Sequence, residues 1–120
     1  MVMVDDIVSY DGDTAIFSFT VKPDNIFVDN GQLAAIALIE NMAQSCAARL
    51  GLSQSPKLGV IGALNNINIL HLPSVGDTIH THIHITNEVF NMMVVEASSY
   101  IVNKDTTKPI SNGILKIALL

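Results

Sequence analysis

The sequence predicts an α+β domain in which a curled antiparallel sheet wraps one long central helix. Three observations carry that expectation. Residues 30–51 form a nearly unbroken apolar stretch. Residues 15–21 and 78–86 alternate apolar with polar at the period of a strand, and short turns rich in Gly, Asp, Asn and Pro separate the remaining apolar runs. The order reads as two strands, one helix and then about four strands, in a single domain covering the chain.

The helix is the element around which the rest is arranged. Seven consecutive apolar residues, 33–39, precede Glu40, and Met42, Ala43, Cys46, Ala47, Ala48 and Leu50 follow it, so water is expected on no side of the segment. Asn30 suits the N-cap, and Gly51 suits the left-handed closure of a C-terminus. A helix over residues 31–50 would span about 30 Å, the width of a small domain. At about 100° per residue, Ala35, Ile39, Met42, Ala43, Cys46 and Leu50 form the most apolar face, Asn41, Ser45 and Arg49 lie nearly opposite, and Glu40 and Gln44 fall on the seam. A carboxylate on that seam is a functional candidate, because burying its charge without a partner raises its pKa or costs several kcal/mol. The bland alternative is a side chain that reaches solvent or bonds nearby backbone.

Composition narrows the classes. The chain has 120 residues, 49% of them apolar and only 14% charged, so an excess of apolar surface is expected to be covered by dimerisation. A net charge of -5 with six scattered Lys and Arg argues against nucleic acid, while leaving room for an acidic carrier protein if a few basic residues cluster. Cys46, the single cysteine, cannot form an internal disulfide and reads as a small core residue in a cytoplasmic protein. The sequence shows neither a secretory leader nor an apolar run long enough to span a membrane.

Residues 1–10 read as a strand, Asp11, Gly12 and Asp13 as a hairpin turn, and Ala15, Phe17, Phe19 and Val21 as the inward set of the next strand, which Pro23 ends. Residues 24–29 form a short loop whose polar groups fall near the helix N-terminus. After Gly51, a polar stretch through Pro56 leads back into strand. Residues 58–70 are apolar on both parities, as in a central strand or one at a subunit interface. Asn65, Asn66 and Asn68 interrupt it; they face a ligand site or bond across the sheet, and the second reading is favoured. Residues 71–78 turn. His80, His82 and His84 then share one strand face opposite Ile79, Ile83 and Ile85, which raises a zinc reading, since strand neighbours on one face lie about 7 Å apart. No second Cys, His or acidic cluster completes such a site, and a solvated face that uses histidine is the reading kept: no metal. Residues 90–102 are a further strand with Met92 and Met93 as core filling, residues 104–107 a hairpin turn, and 110–120 a last strand broken at Ser111, Asn112 and Gly113.

At this point the residues resemble a known family, the hotdog-fold 3-hydroxyacyl-acyl-carrier-protein dehydratases of the FabA/FabZ type, most closely the smaller branch found with aryl-polyene and flexirubin pigment synthesis. The resemblance rests on V-M-V-D-D-I-V at residues 2–8, Gly31 and Leu33, L-I-E-N-M-A-Q at 38–44, Ala47, Ala48 and Gly51, and P-S-V-G-D at 73–77. Relatives carry a short Pro-containing lead-in before the first strand, so this chain is expected to be truncated or to begin late. The resemblance implies a sheet curled around the helix, subunits joined sheet to sheet, and active sites at the interface in which one chain supplies a histidine and the other the helix glutamate. It implies no cofactor. Glu40 matches that glutamate, Gly31 the region whose backbone N–H polarises a thioester carbonyl, and Gln44 and Phe27 substrate-contacting positions. Eliminating water from a 3-hydroxyacyl thioester needs a base for the C2 proton and an acid for the leaving hydroxyl. The histidine is the departure: Asn25 stands at its place, and no histidine precedes His71. An amide cannot take a proton near pH 7.

Three functions follow as expectations. The first is a dehydratase-type subunit, poor as a homodimer, that works as a heterodimer with a histidine-bearing paralogue on acyl thioesters of a carrier protein or CoA. The second is a thioesterase that uses Glu40 with Asn25. The third is a non-catalytic protein that binds an acyl chain or the carrier.

Overall fold

The computed structural model describes residues 2–52 and 59–119. The period-two alternation behaves as its geometry requires: strand β2 (Thr14–Thr20) turns Ala15, Phe17 and Phe19 into the core, while β1 (Asp6–Asp11) pairs with it as an exposed edge. Gly12, at φ +57°, makes the turn between them. A two-residue hairpin, β3 (Val28–Asp29) with β4 (Gln32–Leu33), leads into helix α1 (Ala35–Gly51). Strands β5 (Gly59–Ile69), β6 (Thr78–Val89), β7 (Met92–Val102) and β8 (Thr107–Leu119) follow. Six of these strands form one antiparallel sheet in the order β1-β2-β6-β7-β8-β5, and the helix lies against β5, β6 and β7. No helix among the described residues is long and apolar enough to cross a membrane.

Several expectations change. Asn30 does not cap the helix. With Asn30 at φ +52° and Gly31 at φ +77°, the pair forms the two-residue turn of the β3–β4 hairpin, the left-handed geometry that Asn-Gly adopts most readily. The helix begins four residues after Gly31, at Ala35, with Ala34 as an N-cap that offers no side-chain bond. The strand with apolar residues on both parities is not central: β5 is the sheet's outer strand beside β8, with Val60, Ile61 and Leu64 exposed. Ser111, Asn112 and Gly113 do not break the last strand. Gly113 leaves space within it that the Ile67 side chain of β5 fills, so a Cβ there would require Ile67 Cδ1 to shift. Phe90 belongs to the β6–β7 turn, not to a strand. The polar stretch at 53–56, the strand start at Leu58 and the strand end at Leu120 lie outside the described residues.

The core is two apolar clusters. One gathers Ala15, Phe17, Met42, Cys46, Ile83, Leu115 and Ile117, and the other Met3, Phe19, Leu33, Leu38, Ile79, Ile101 and Ile110. Between them runs a row of buried hydroxyls that the register aligns, Thr81 opposite Ser99 and Ser99 opposite Ser111. The helix meets that row at Asn41, which with Ser45 and Arg49 belongs to the stripe expected to point away from the core and found buried. Asn41 is buried with its partners present: its Nδ2 donates to Met3 O at 2.6 Å, and its Oδ1 accepts from the Thr81 hydroxyl, whereas among the described residues Ser45 Oγ is buried without a hydrogen-bond partner. One turn on, Arg49 Nη2 donates to Gly12 O at 2.8 Å, and the guanidinium lies 4.8 Å from the Tyr10 ring centroid, tying the first hairpin to the end of the helix.

Candidate active site

Turning Asn41, Ser45 and Arg49 inward sends a different stripe outward. Ile36, Glu40 and Ala47 are exposed on it and Ala43 and Gln44 are half-buried, so the helix carboxylate stands on a face that is largely apolar. Glu40 is neither on a buried seam nor unpartnered: its Oε1 accepts from Gln44 Nε2 at 3.1 Å, one helical turn away. Gln44 Oε1 in turn accepts from the backbone N–H of Met3 at 2.6 Å.

Asn25 is buried, with 8% of its surface exposed. Its Oδ1 accepts from Phe27 N–H at 2.8 Å, an Asx turn, and its Nδ2 lies 3.5 Å from Met3 Sδ. The backbone of Asn25 is engaged as well, donating to Lys22 O and accepting from Val28 N–H. The amide thereby shapes the loop that carries it. Asn25 and Glu40 connect through Met3 and Gln44.

Phe27 is half-buried beside the helix entrance, where its carbonyl accepts from Ala34 N–H at 2.8 Å. Gly31 does not supply an N–H at the helix N-terminus, because the hairpin turn moves it away. Its carbonyl accepts from Val75 N–H at 2.9 Å, and Leu33 N–H donates to Pro73 O at 2.8 Å. The two short motifs of the sequence, Gly31 with Leu33 and Pro73 through Asp77, therefore bind one another directly. Beside them a depression of about 360 Å³, lined by Asp29, Asn30, Gln32, Leu33, Ala34, Ala35 and Leu72, opens at the start of the helix. The positive end of the helix dipole faces it, a setting suited to a polarised carbonyl oxygen.

Three of the four histidines lie on β6, away from that depression. His80, His82 and His84 project from β6 on the sheet face opposite Ile79, Thr81 and Ile83, which face the helix. His80 and His82 line a depression of about 320 Å³ with Ile16 and Tyr100, and the His82 and Tyr100 rings meet edge to face at 5.0 Å. Burial holds the His82 pKa below its ordinary value, and the neighbouring His80 charge pushes it the same way. Among the described residues no group of three or more His, Cys, Asp or Glu is arranged to hold a metal ion. Of the strand amides, Asn68 Nδ2 donates to Asn112 Oδ1 of β8 at 2.9 Å, the cross-sheet bond expected of it.

Met3 and Asn41 are the residues that sequence reasoning missed. Met3 is fully buried and touches Asn25, Asn41 and Gln44. A methionine in a short N-terminal apolar run carries no signal for that role. Asn41 had one: a polar residue inside an apolar helix requires partners wherever it is buried.

This arrangement of one helix against a large antiparallel sheet is the hotdog fold. Solved structures match it closely along nearly the whole chain. They include the dehydratase heterocomplex ApeI:P from Xenorhabdus doucetiae (TM-score 0.78, 15% identity, 99% of this chain and 83% of that one). The PaaI protein of the Escherichia coli phenylacetic acid degradation operon is similar (0.79, 20%, 96% and 78%). So is smu.793 of Streptococcus mutans UA159, bound to acetyl CoA (0.77, 14%, 96% and 87%). No curated protein matches the chain in sequence. The family of ApeP-like proteins, described as ApeP dehydratase, matches residues 1–64, more than half of the chain. The chain belongs to that ApeP-like family.

Proposed function

We propose that this protein is the glutamate-bearing subunit of a 3-hydroxyacyl thioester dehydratase whose complete site forms with a histidine-bearing partner. One observation carries the reading: Glu40 is exposed on a largely apolar helix stripe, whereas Asn25, which we read as standing in place of the family's histidine, is a buried amide committed to its own loop. The chain therefore offers a carboxylate at Glu40 and, at Asn25, an amide that cannot take a proton near neutral pH. An apolar stripe around a carboxylate suits enclosure by a second subunit. Enclosure would remove water from Glu40 and strengthen its action on the hydroxyl leaving C3.

In this reading Glu40 donates the proton to the departing hydroxyl, the partner's histidine takes the C2 proton, and the depression at the helix start holds the thioester carbonyl. Phe27 and Gln44 border the acyl chain. The family match and the ApeI:P heterocomplex among the structural neighbours support both the chemistry and the pairing. The carrier is acyl carrier protein or CoA.

The test measures dehydration of a 3-hydroxyacyl thioester by the chain alone, by the chain with a histidine-bearing relative, and by the mixture carrying Glu40→Gln. Activity should need both chains and fall at least about a hundredfold with the substitution, the scale of a lost general acid. Equal activity without a partner refutes the pairing. Release of free thiol that depends on Glu40 would assign the thioesterase reading, with Asn25 as the carbonyl-holding amide. Acyl binding without turnover in any mixture would leave a non-catalytic carrier or acyl binder.

A further inference from the structure

An exposed glutamate one turn from a glutamine has many rotamers, and a proton donor with many rotamers is a poor one. Met3 removes that freedom. Its backbone N–H donates to Gln44 Oε1 at 2.6 Å, its carbonyl accepts from Asn41 Nδ2 at 2.6 Å, and its side chain is wholly buried with Sδ 3.5 Å from Asn25 Nδ2. The strap continues at Asp5, whose N–H donates to Ser18 O and whose Oδ2 accepts from Thr20 N–H, both at 2.8 Å on β2.

Resting on the reading of Glu40 as the acid, we infer that Met3 is a positioning residue for it, acting through Gln44. The argument turns on what a planar amide can do. A backbone N–H can only donate, so Gln44 must present its oxygen to Met3, and the rigid amide then points its NH₂ away from the strap. That NH₂ donates to Glu40 Oε1 at 3.1 Å. With Oε1 held as an acceptor, Oε2 is the oxygen turned to the substrate, and it carries the proton that leaves with the hydroxyl. The same Met3 reaches the Asn25 loop, so the strap sets the helix carboxylate and the loop opposite it in one register.

Side-chain NMR of ¹⁵N-glutamine-labelled protein tests the strap without relying on turnover. The Gln44 amide should be as ordered as rigid backbone in the native chain and in Met3→Leu, and should fall below an order parameter of about 0.6 in Met3→Pro, which lacks the N–H. Should Met3→Pro fail to fold, the reciprocal measurement decides: Gln44→Leu should abolish hydrogen-exchange protection of the Met3 N–H. In the complex with the histidine-bearing partner, Met3→Pro should lower kcat about tenfold to a hundredfold at unchanged KM, as misplacement of a reacting group does, and Met3→Leu should restore it. A Gln44 amide that stays ordered in Met3→Pro, a Met3 N–H still protected in Gln44→Leu, or a kcat unmoved by the loss of the N–H overturns the proposal. A native complex that does not dehydrate at all refutes the function above instead, and the NMR results then judge the strap by itself.

Discussion

Two titratable side chains show how burial sets chemistry residue by residue. The thiol of Cys46 is pushed up to about 12 by burial between the helix and the sheet, so at neutral pH it is a protonated core group. Iodoacetamide at pH 8 should leave the folded chain unlabelled over hours and modify Cys46 once denaturant is added; rapid native labelling would contradict the packing. His82 moves in the opposite direction, toward the neutral form. Its folded pKa lies below the unfolded value, so its contribution to stability is present above pH 6.5 and is lost as pH falls through the folded value. The other ionisable side chains facing it are His80 and His84 on β6 and Glu96 and Tyr100, which pair with them, on β7. Melting temperature should therefore decline between pH 7.5 and pH 5.5, with a shallower decline in His82→Gln. An identical slope in the variant would assign the loss to the other groups.

At the level of elements, the β6–β7 hairpin carries a cost that a substitution can remove. Phe90 occupies its turn at φ +54° with 97% of its surface exposed, a left-handed backbone that a bulky residue rarely adopts and a side chain that buries nothing in return. Phe90→Asn keeps the turn with a residue that accepts this conformation and should stabilise the chain by about 1 kcal/mol, or roughly 3–5 °C in Tm. A melting curve that does not move would mean that the turn relaxes at no cost. The β3–β4 hairpin makes the complementary point about legibility. Asn30-Gly31 is the strongest short hairpin signal in the chain, yet next to a long apolar run the same Asn reads as a helix cap. Existence and type of the helix were legible from its apolar content; its start was not, because two local rules claim one residue. The inward face was hidden for a different reason. The helix is apolar nearly all round, so the wheel cannot distinguish the side that meets the sheet from the side left open. Asn41 resolves that choice only through Met3 and Thr81, 38 and 40 residues away, and Arg49 only through Gly12, 37 residues away. Glu40 was legible as the one carboxylate of the helix, and its exposure followed only once those distant partners fixed the rotation.

For the molecule as a whole, two unfinished surfaces need one explanation. Strand β5 ends the sheet with its outer backbone edge unpaired by any strand among the described residues, and it carries Val60, Ile61 and Leu64 exposed at 54%, 42% and 42%. Natural sheets protect such edges with charge, proline or a covering partner, and the described part of β5 has neither a charged residue nor a proline. The helix stripe holding Ile36 and Glu40 is the second apolar face left open. Covering both by another subunit would bury the oily rows and enclose the carboxylate in one step. Placing lysines on the edge alone separates assembly from chemistry, since Val60 and Leu64 are distinct from the helix residues assigned to the reaction. Val60→Lys with Leu64→Lys should keep the far-ultraviolet circular dichroism of the native chain and shift its sedimentation from a dimer, with itself or with its histidine-bearing partner, to a monomer. Dehydration should fall in parallel with assembly, at least about tenfold at micromolar concentration, because each lysine desolvated at an interface costs on the order of 1 kcal/mol or more. A doubly substituted chain that still assembles would place the contact elsewhere, and one that is monomeric yet fully active would show that Glu40 acts without being enclosed.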